Sequence, residues 1–194
     1  MHKSLKNYFR GAAICFLGMV IVCISLHPSV FKYYGYGISE FGAIHATVLP
    51  FFIGFAATIY FLIRIAITLK ALSQFLSTTF FVSAICLSGI AVTSSPMSRF
   101  TYDLHWWFAG TLTLNILMTM VWQLRRGMTK TLDHLLAAVF LVTVIVSLLP
   151  HAQAIPIFGD FILRESIGFI ASFWFLMRAT FAHIGAHAAG KRFT

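Results

Sequence analysis

The residues able to do chemistry in this chain gather at one end of its apolar segments. Glu40, Asp103, Asp160 and Glu165 are four of its five carboxylates, and His27, His45, His105 and His151 are four of its eight histidines. All eight fall at the same alternate ends of successive apolar runs, together with Arg164, Trp106 and Trp107. Imidazole titrates near neutrality, so a histidine beside a carboxylate can exchange protons with a substrate. A guanidinium can hold a phosphate or carboxylate through paired hydrogen bonds. No nucleophile accompanies them, because Ser39 and Ser166 lack any G-x-S-x-G context.

The elements that must position these groups are membrane helices. Of 194 residues, 59% are hydrophobic and 10% charged, and the mean hydropathy is +0.88. A soluble domain carries roughly 25% charged residues, and its shrinking surface-to-volume ratio could not hide this much apolar area. Runs of about 20 apolar residues span a bilayer. Six are present, at 9–26, 41–69, 75–93, 104–124, 132–149 and 161–184. The expected fold is therefore all-α, a single six-helix transmembrane domain covering 1–194, with Pro50 inside a long second helix that tilts or kinks. The first run follows Lys3, Lys6 and Arg10 as a signal peptide would, but no A-x-A-like site follows it, so it reads as a retained helix. Pro28, Pro96, Pro150 and Pro156 fall in connections, where a missing N–H does no harm. The short connections make consecutive helices antiparallel neighbours.

The net charge of +9 has a topological explanation. One side collects Lys3, Lys6, Arg10, Arg64, Lys70, Arg125, Arg126, Lys130, Arg178, Lys191 and Arg192, eleven cations against Lys32, Arg99 and Arg164 on the other. Cytoplasmic loops accumulate Lys and Arg. Both termini are thus expected in the cytoplasm, in a multi-pass inner-membrane protein, with the acid- and histidine-rich end facing out. No basic-and-aromatic stretch suits nucleic acid. Cys15, Cys23 and Cys86 lie in apolar runs, where they read as small packing residues rather than a disulfide or metal set.

Each polar group also has a structural role open to it. Ser39 suits an N-cap of the second helix with Glu40 in its first turn, and Asp103 an N-cap of the fourth. His45 fits a hydrogen-bonded core histidine. Trp106, Trp107, Tyr33, Tyr34 and Tyr36 fit an interfacial aromatic belt. Asn115, Thr111, Ser83 and Ser88 are expected to bond neighbouring helices. Gly168, Ala171 and Ser172 form a small-residue face that turns Arg164 and Glu165 toward the bundle, where Glu40 or Asp103 could pair with the arginine. His183 and His187 have i, i+4 spacing but no third ligand, and no metal is expected.

Three stretches carry a resemblance: ISEFGAIH (38–45), LHWWFAG (104–110) and RESIGFIASFWF (164–175). Together they resemble the prokaryotic membrane family called domain of unknown function 998, over nearly the whole chain. The ISEFG element is also similar to the I-S-D element of Frag and DRAM-type six-helix proteins, some of them tied to lipid remodelling. The order Arg164-Glu165 inverts the expected Glu-Arg. The resemblance implies functional roles for Ser39, Glu40, His105, Arg164 and Glu165.

The leading expectation is an outward-facing cavity lined by Glu40, His45, Asp103, His105, Arg164 and Glu165 that binds or processes a lipid or small amphipathic ligand. One alternative is a haem- or quinone-binding redox subunit, with a haem held by His45 and His105 on the second and fourth helices. Another is a structural or assembly subunit whose polar end is paired internally. Oligomeric state and any reaction stay open.

Overall fold

A computed structural model describes residues 2–29, 37–94, 98–126, 130–148 and 161–188. Among them the regular structure is helical: α1 (His2–Leu26), a short 3₁₀ helix (Ile38–Gly42), α2 (Val48–Leu69), α3 (Gln74–Val92), α4 (Arg99–Arg125), α5 (Thr131–Leu148) and α6 (Phe161–Ala188). Apolar stretches of 18 to 25 residues in α1, α2, α3, α5 and α6 are long and apolar enough to cross a membrane. At about 1.5 Å per residue they measure about 27 to 38 Å. The fourth, α4, has the length at 27 residues but carries Asp103, His105, Asn115 and Gln123 among its apolar positions. Apolar side chains lie on both the inside and the outside of the bundle. Phe9, Phe51, Phe80 and Phe175 are buried, while Ile14, Ile53, Phe81, Leu114 and Ile145 are exposed. That pattern suits helices whose outer solvent is hydrocarbon.

Neighbouring helices are antiparallel, as side-chain pairs along each seam record. On α1–α2, Arg64 donates to Tyr8 near one end and Cys23 to the Thr47 carbonyl near the other. On α3–α4, Asn115 meets Thr79 and His105 meets Thr93. On α5–α6, Asp133 pairs with Arg178 while Thr143 faces Gly168. The last helix is central. More than half of its apolar stretch is buried, 56% against 11% for α5. Its Phe169 stacks on Phe16, and its Phe173 and Phe181 close around Phe9 of α1, which also meets Phe80 of α3 edge-on. Gly168, Ala171 and Ser172 are all buried, with Gly168 packed on Thr143 of α5.

Several boundaries differ from expectation. The first helix starts at His2 rather than Phe9, because Leu5 and Phe9 continue its buried stripe through the basic start. The second α-helix starts at Val48 rather than Phe41. Ser39 and Glu40 therefore do not cap it; they lie in the 3₁₀ helix, which has no side-chain cap. Pro50 is the third residue of α2, where no N–H is needed, so no kink follows from it. Asp103 is not an N-cap either. Ser98 caps α4 in a reciprocal capping box with Thr101, leaving Asp103 in the second turn. Pro96, Pro150, Pro156, Lys32, Tyr33, Tyr34, Tyr36, His151 and Asp160 lie outside the described residues, as does the side chain of His187.

Candidate functional site at the acidic end of the bundle

The chain between α1 and α2 folds back into the end of the bundle instead of running across it. Ile38 and Phe41 are buried, and Gly42 packs so closely on Ser94 and Phe51 that a Cβ there would collide with both. The Thr47 hydroxyl donates to the Phe41 carbonyl at 2.7 Å, closing the turn that leads into α2. The 3₁₀ helix thereby touches α2, α3 and α6.

One hydrogen bond fixes it to the last helix. The backbone N–H of Ile38 donates to Oε2 of Glu165 at 2.6 Å, across 127 residues of sequence. This contact brings three of the expected residues together. Arg164 and Glu40 both lie within Coulombic reach of the Glu165 carboxylate. Arg164 is 3% exposed, and Glu40 is half-buried. Burial pushes the Glu40 carboxyl above its ordinary range, because the charged form loses hydration. The neutral acid can donate a hydrogen bond as well as accept one.

His105 occupies an adjoining place. Its Nδ1 lies 3.1 Å from the hydroxyl of Thr93, which donates to the Gly89 carbonyl at 2.6 Å. The Thr93 hydroxyl thus sits between the His105 ring and the carbonyl of its own helix. Thr93 precedes Ser94, the residue against Gly42, so His105 lies at the same end of the bundle as the 3₁₀ helix. The other expected members lie elsewhere. Asp103 is exposed and lines a shallow depression on α4 with Trp106, Trp107 and Gly110. His45 is not a core histidine but is exposed on the turn before α2. Its exposure, and the engagement of His105 with Thr93, leave the haem alternative without a buried facing pair at these two positions.

Beside the cluster, α5 and α6 part to form a cavity of about 270 Å³ lined by Ala138, Val139, Val142, Thr143, Leu163, Arg164 and Ile167. Its walls are apolar, so the arginine contributes its aliphatic stem to them. The opposite end of the same seam is clamped. Asp133 accepts from Arg178 of α6 and from the Lys130 N–H at the start of α5. The fifth carboxylate thus ties two helices together, a role that its isolation among basic residues could have signalled.

No family model, curated protein or solved structure matches this chain.

Proposed function

We propose that this integral membrane protein binds an amphipathic ligand, in the first instance a membrane lipid, at the acidic end of its helix bundle. Glu40, Arg164 and Glu165 meet the head group, and the α5–α6 cavity takes part of the apolar chain. The observation that carries the reading is that Arg164 belongs to both features. Its stem lines an apolar cavity, and its charge lies next to Glu165, which is held by Ile38. A buried guanidinium attracts phosphate or carboxylate oxygens. Burial raises the proton affinity of Glu40, which weakens its repulsion of the same oxygens as pH falls. His105, held by Thr93, supplies an imidazole at the same end of the bundle.

The charge count puts this end on the outer face of the cytoplasmic membrane, so the ligand comes from the outer leaflet. The resemblance to domain of unknown function 998 belongs to the same reading, because of its five implied residues Ser39, Glu40, Arg164 and Glu165 lie at this cluster and His105 at the same end of the bundle. Native mass spectrometry of protein released from phospholipid vesicles tests it. Wild type is expected to retain lipid, and both Arg164→Gln and the cavity-filling Ala138→Trp are expected to lose it. Equal retention in all three proteins sinks the proposal. It also favours the assembly-subunit reading if Arg164→Gln lowers only the unfolding temperature.

A further inference from the structure

At the opposite end of the bundle, two polar side chains are buried without a protein partner among the described residues. Gln123 of α4 and Thr180 of α6 are each 0% exposed, and neither the amide nitrogen, the amide oxygen nor the hydroxyl makes a hydrogen bond. Both lie at one depth. Trp122, next to Gln123, has its ring 6.2 Å from that of His183, which is one turn beyond Thr180. Gln123 also continues the interior face of Thr119 and Met120, which are one turn before it and equally buried.

Thr180 departs from the habit of this chain. Thr58, Thr79, Ser83, Ser88, Thr93 and Ser147 each donate to the carbonyl four residues back in their own helix. Such bonds are how a membrane helix hides a hydroxyl cheaply. The Thr180 hydroxyl makes none. An amide and a hydroxyl left unbonded in an apolar interior are costly to the fold. Two donors and two acceptors at one depth match a small neutral molecule that both gives and takes hydrogen bonds. No charged group is required of it.

We infer that the seam between α4 and α6 binds structural water near Gln123 and Thr180, a polar site separate from the cluster at the acidic end. A buried water needs two to four such partners. X-ray hydroxyl-radical footprinting on the detergent-solubilised full chain tests this, since radicals made from bound water label the side chains around it. Met120, 2% exposed, is the reporter. Oxidation of Met120 is expected in wild type and is expected to fall to background in the double variant Gln123→Met, Thr180→Val, which replaces both polar groups by apolar ones of similar shape. Background labelling of Met120 in wild type overturns the inference whether or not the double variant folds. So does undiminished labelling in a folded double variant. A lipid whose retention by mass depends on Gln123 replaces water as the occupant and also overturns it.

Discussion

At the scale of single residues, the most informative group is Glu40. Its carboxyl is half-buried, and its proton affinity is raised from an ordinary value near 4.5 by loss of hydration. A raised acid favours the folded state in its neutral form. Its contribution is therefore complete below the unfolded value and is lost as pH rises through the folded one. Glu40→Gln, neutral at every pH, is expected to unfold at a higher temperature than wild type at pH 7. The difference should close on acidification to about pH 4, and thermal scans across pH in one detergent measure it. An unchanged gap from acid to neutral pH argues that Glu40 is hydrated. Glu165 behaves differently, because it accepts the Ile38 N–H. Glu165→Leu leaves that buried donor unpaired and is expected to cost about 1–3 kcal/mol. Glu165→Gln keeps an acceptor and is expected to cost less. Limited proteolysis between α1 and α2 reports whether the 3₁₀ helix is released.

Among elements, the α3–α4 seam shows how polar and small residues share the work of association in an apolar solvent. Asn115 donates to the Thr79 carbonyl and to the Ser83 hydroxyl, and Thr79 meets Thr119 at 2.9 Å. The sequence expectation of inter-helix bonding holds for Asn115 and Ser83. Ser88 instead bonds to Ala84 in its own helix. Asn115→Leu should cost about 0.6–1.7 kcal/mol, the range found for such bonds in membranes. Two glycines separate packing from propensity. Gly89 lies against the ring of Phe108, so that an added Cβ would collide with it, whereas Gly110 has open space around it. Gly89→Ala is expected to destabilise by about 1–3 kcal/mol through overpacking. Gly110→Ala is expected to be neutral or to stabilise by up to about 1 kcal/mol through helix propensity. Thermal unfolding of both variants in one detergent makes the comparison, and equal effects would show that Phe108 yields freely.

For the whole molecule, orientation is the claim to test. Eleven cations against three imply cytoplasmic termini. A C-terminal alkaline phosphatase fusion should be inactive and a C-terminal green fluorescent fusion bright, with the reverse for fusions placed after Leu148. A bright fusion at both places contradicts an odd number of crossings between them. The architecture is asymmetric in a second way. The central helix α6 carries the Arg164–Glu165 group at one end and the Arg178 clamp to Asp133 at the other, while α5 is the peripheral partner whose departure from α6 opens the cavity. The α5–α6 pair is thus closed by an ion pair at its basic end and open at its acidic end.

The sequence by itself determined the helical membrane class, the presence of six long helices, the clustering of acids and histidines at one end, and the inward face of Arg164 and Glu165; of the six spans it predicts, five are apolar enough to cross a membrane and α4 is not among them. These follow from composition and from a 3.6-residue period, both local properties of the chain. It did not determine which polar residues meet. Ser39 and Asp103 resemble caps as single residues, but α2 starts after Thr47 without a side-chain cap and α4 is capped by Ser98, because an unbroken apolar run does not record where the chain stops being α-helical. The return of Ile38–Gly42 into the bundle, its attachment to Glu165 and the separation of Asp103 and His45 from that group were decided only by tertiary packing. A hydrogen bond between a backbone N–H and a carboxylate 127 residues away depends on where α6 comes to lie, and no local pattern encodes that. The acidic end is therefore several places rather than one, and the place built by Glu40, Arg164 and Glu165 adjoins an apolar cavity.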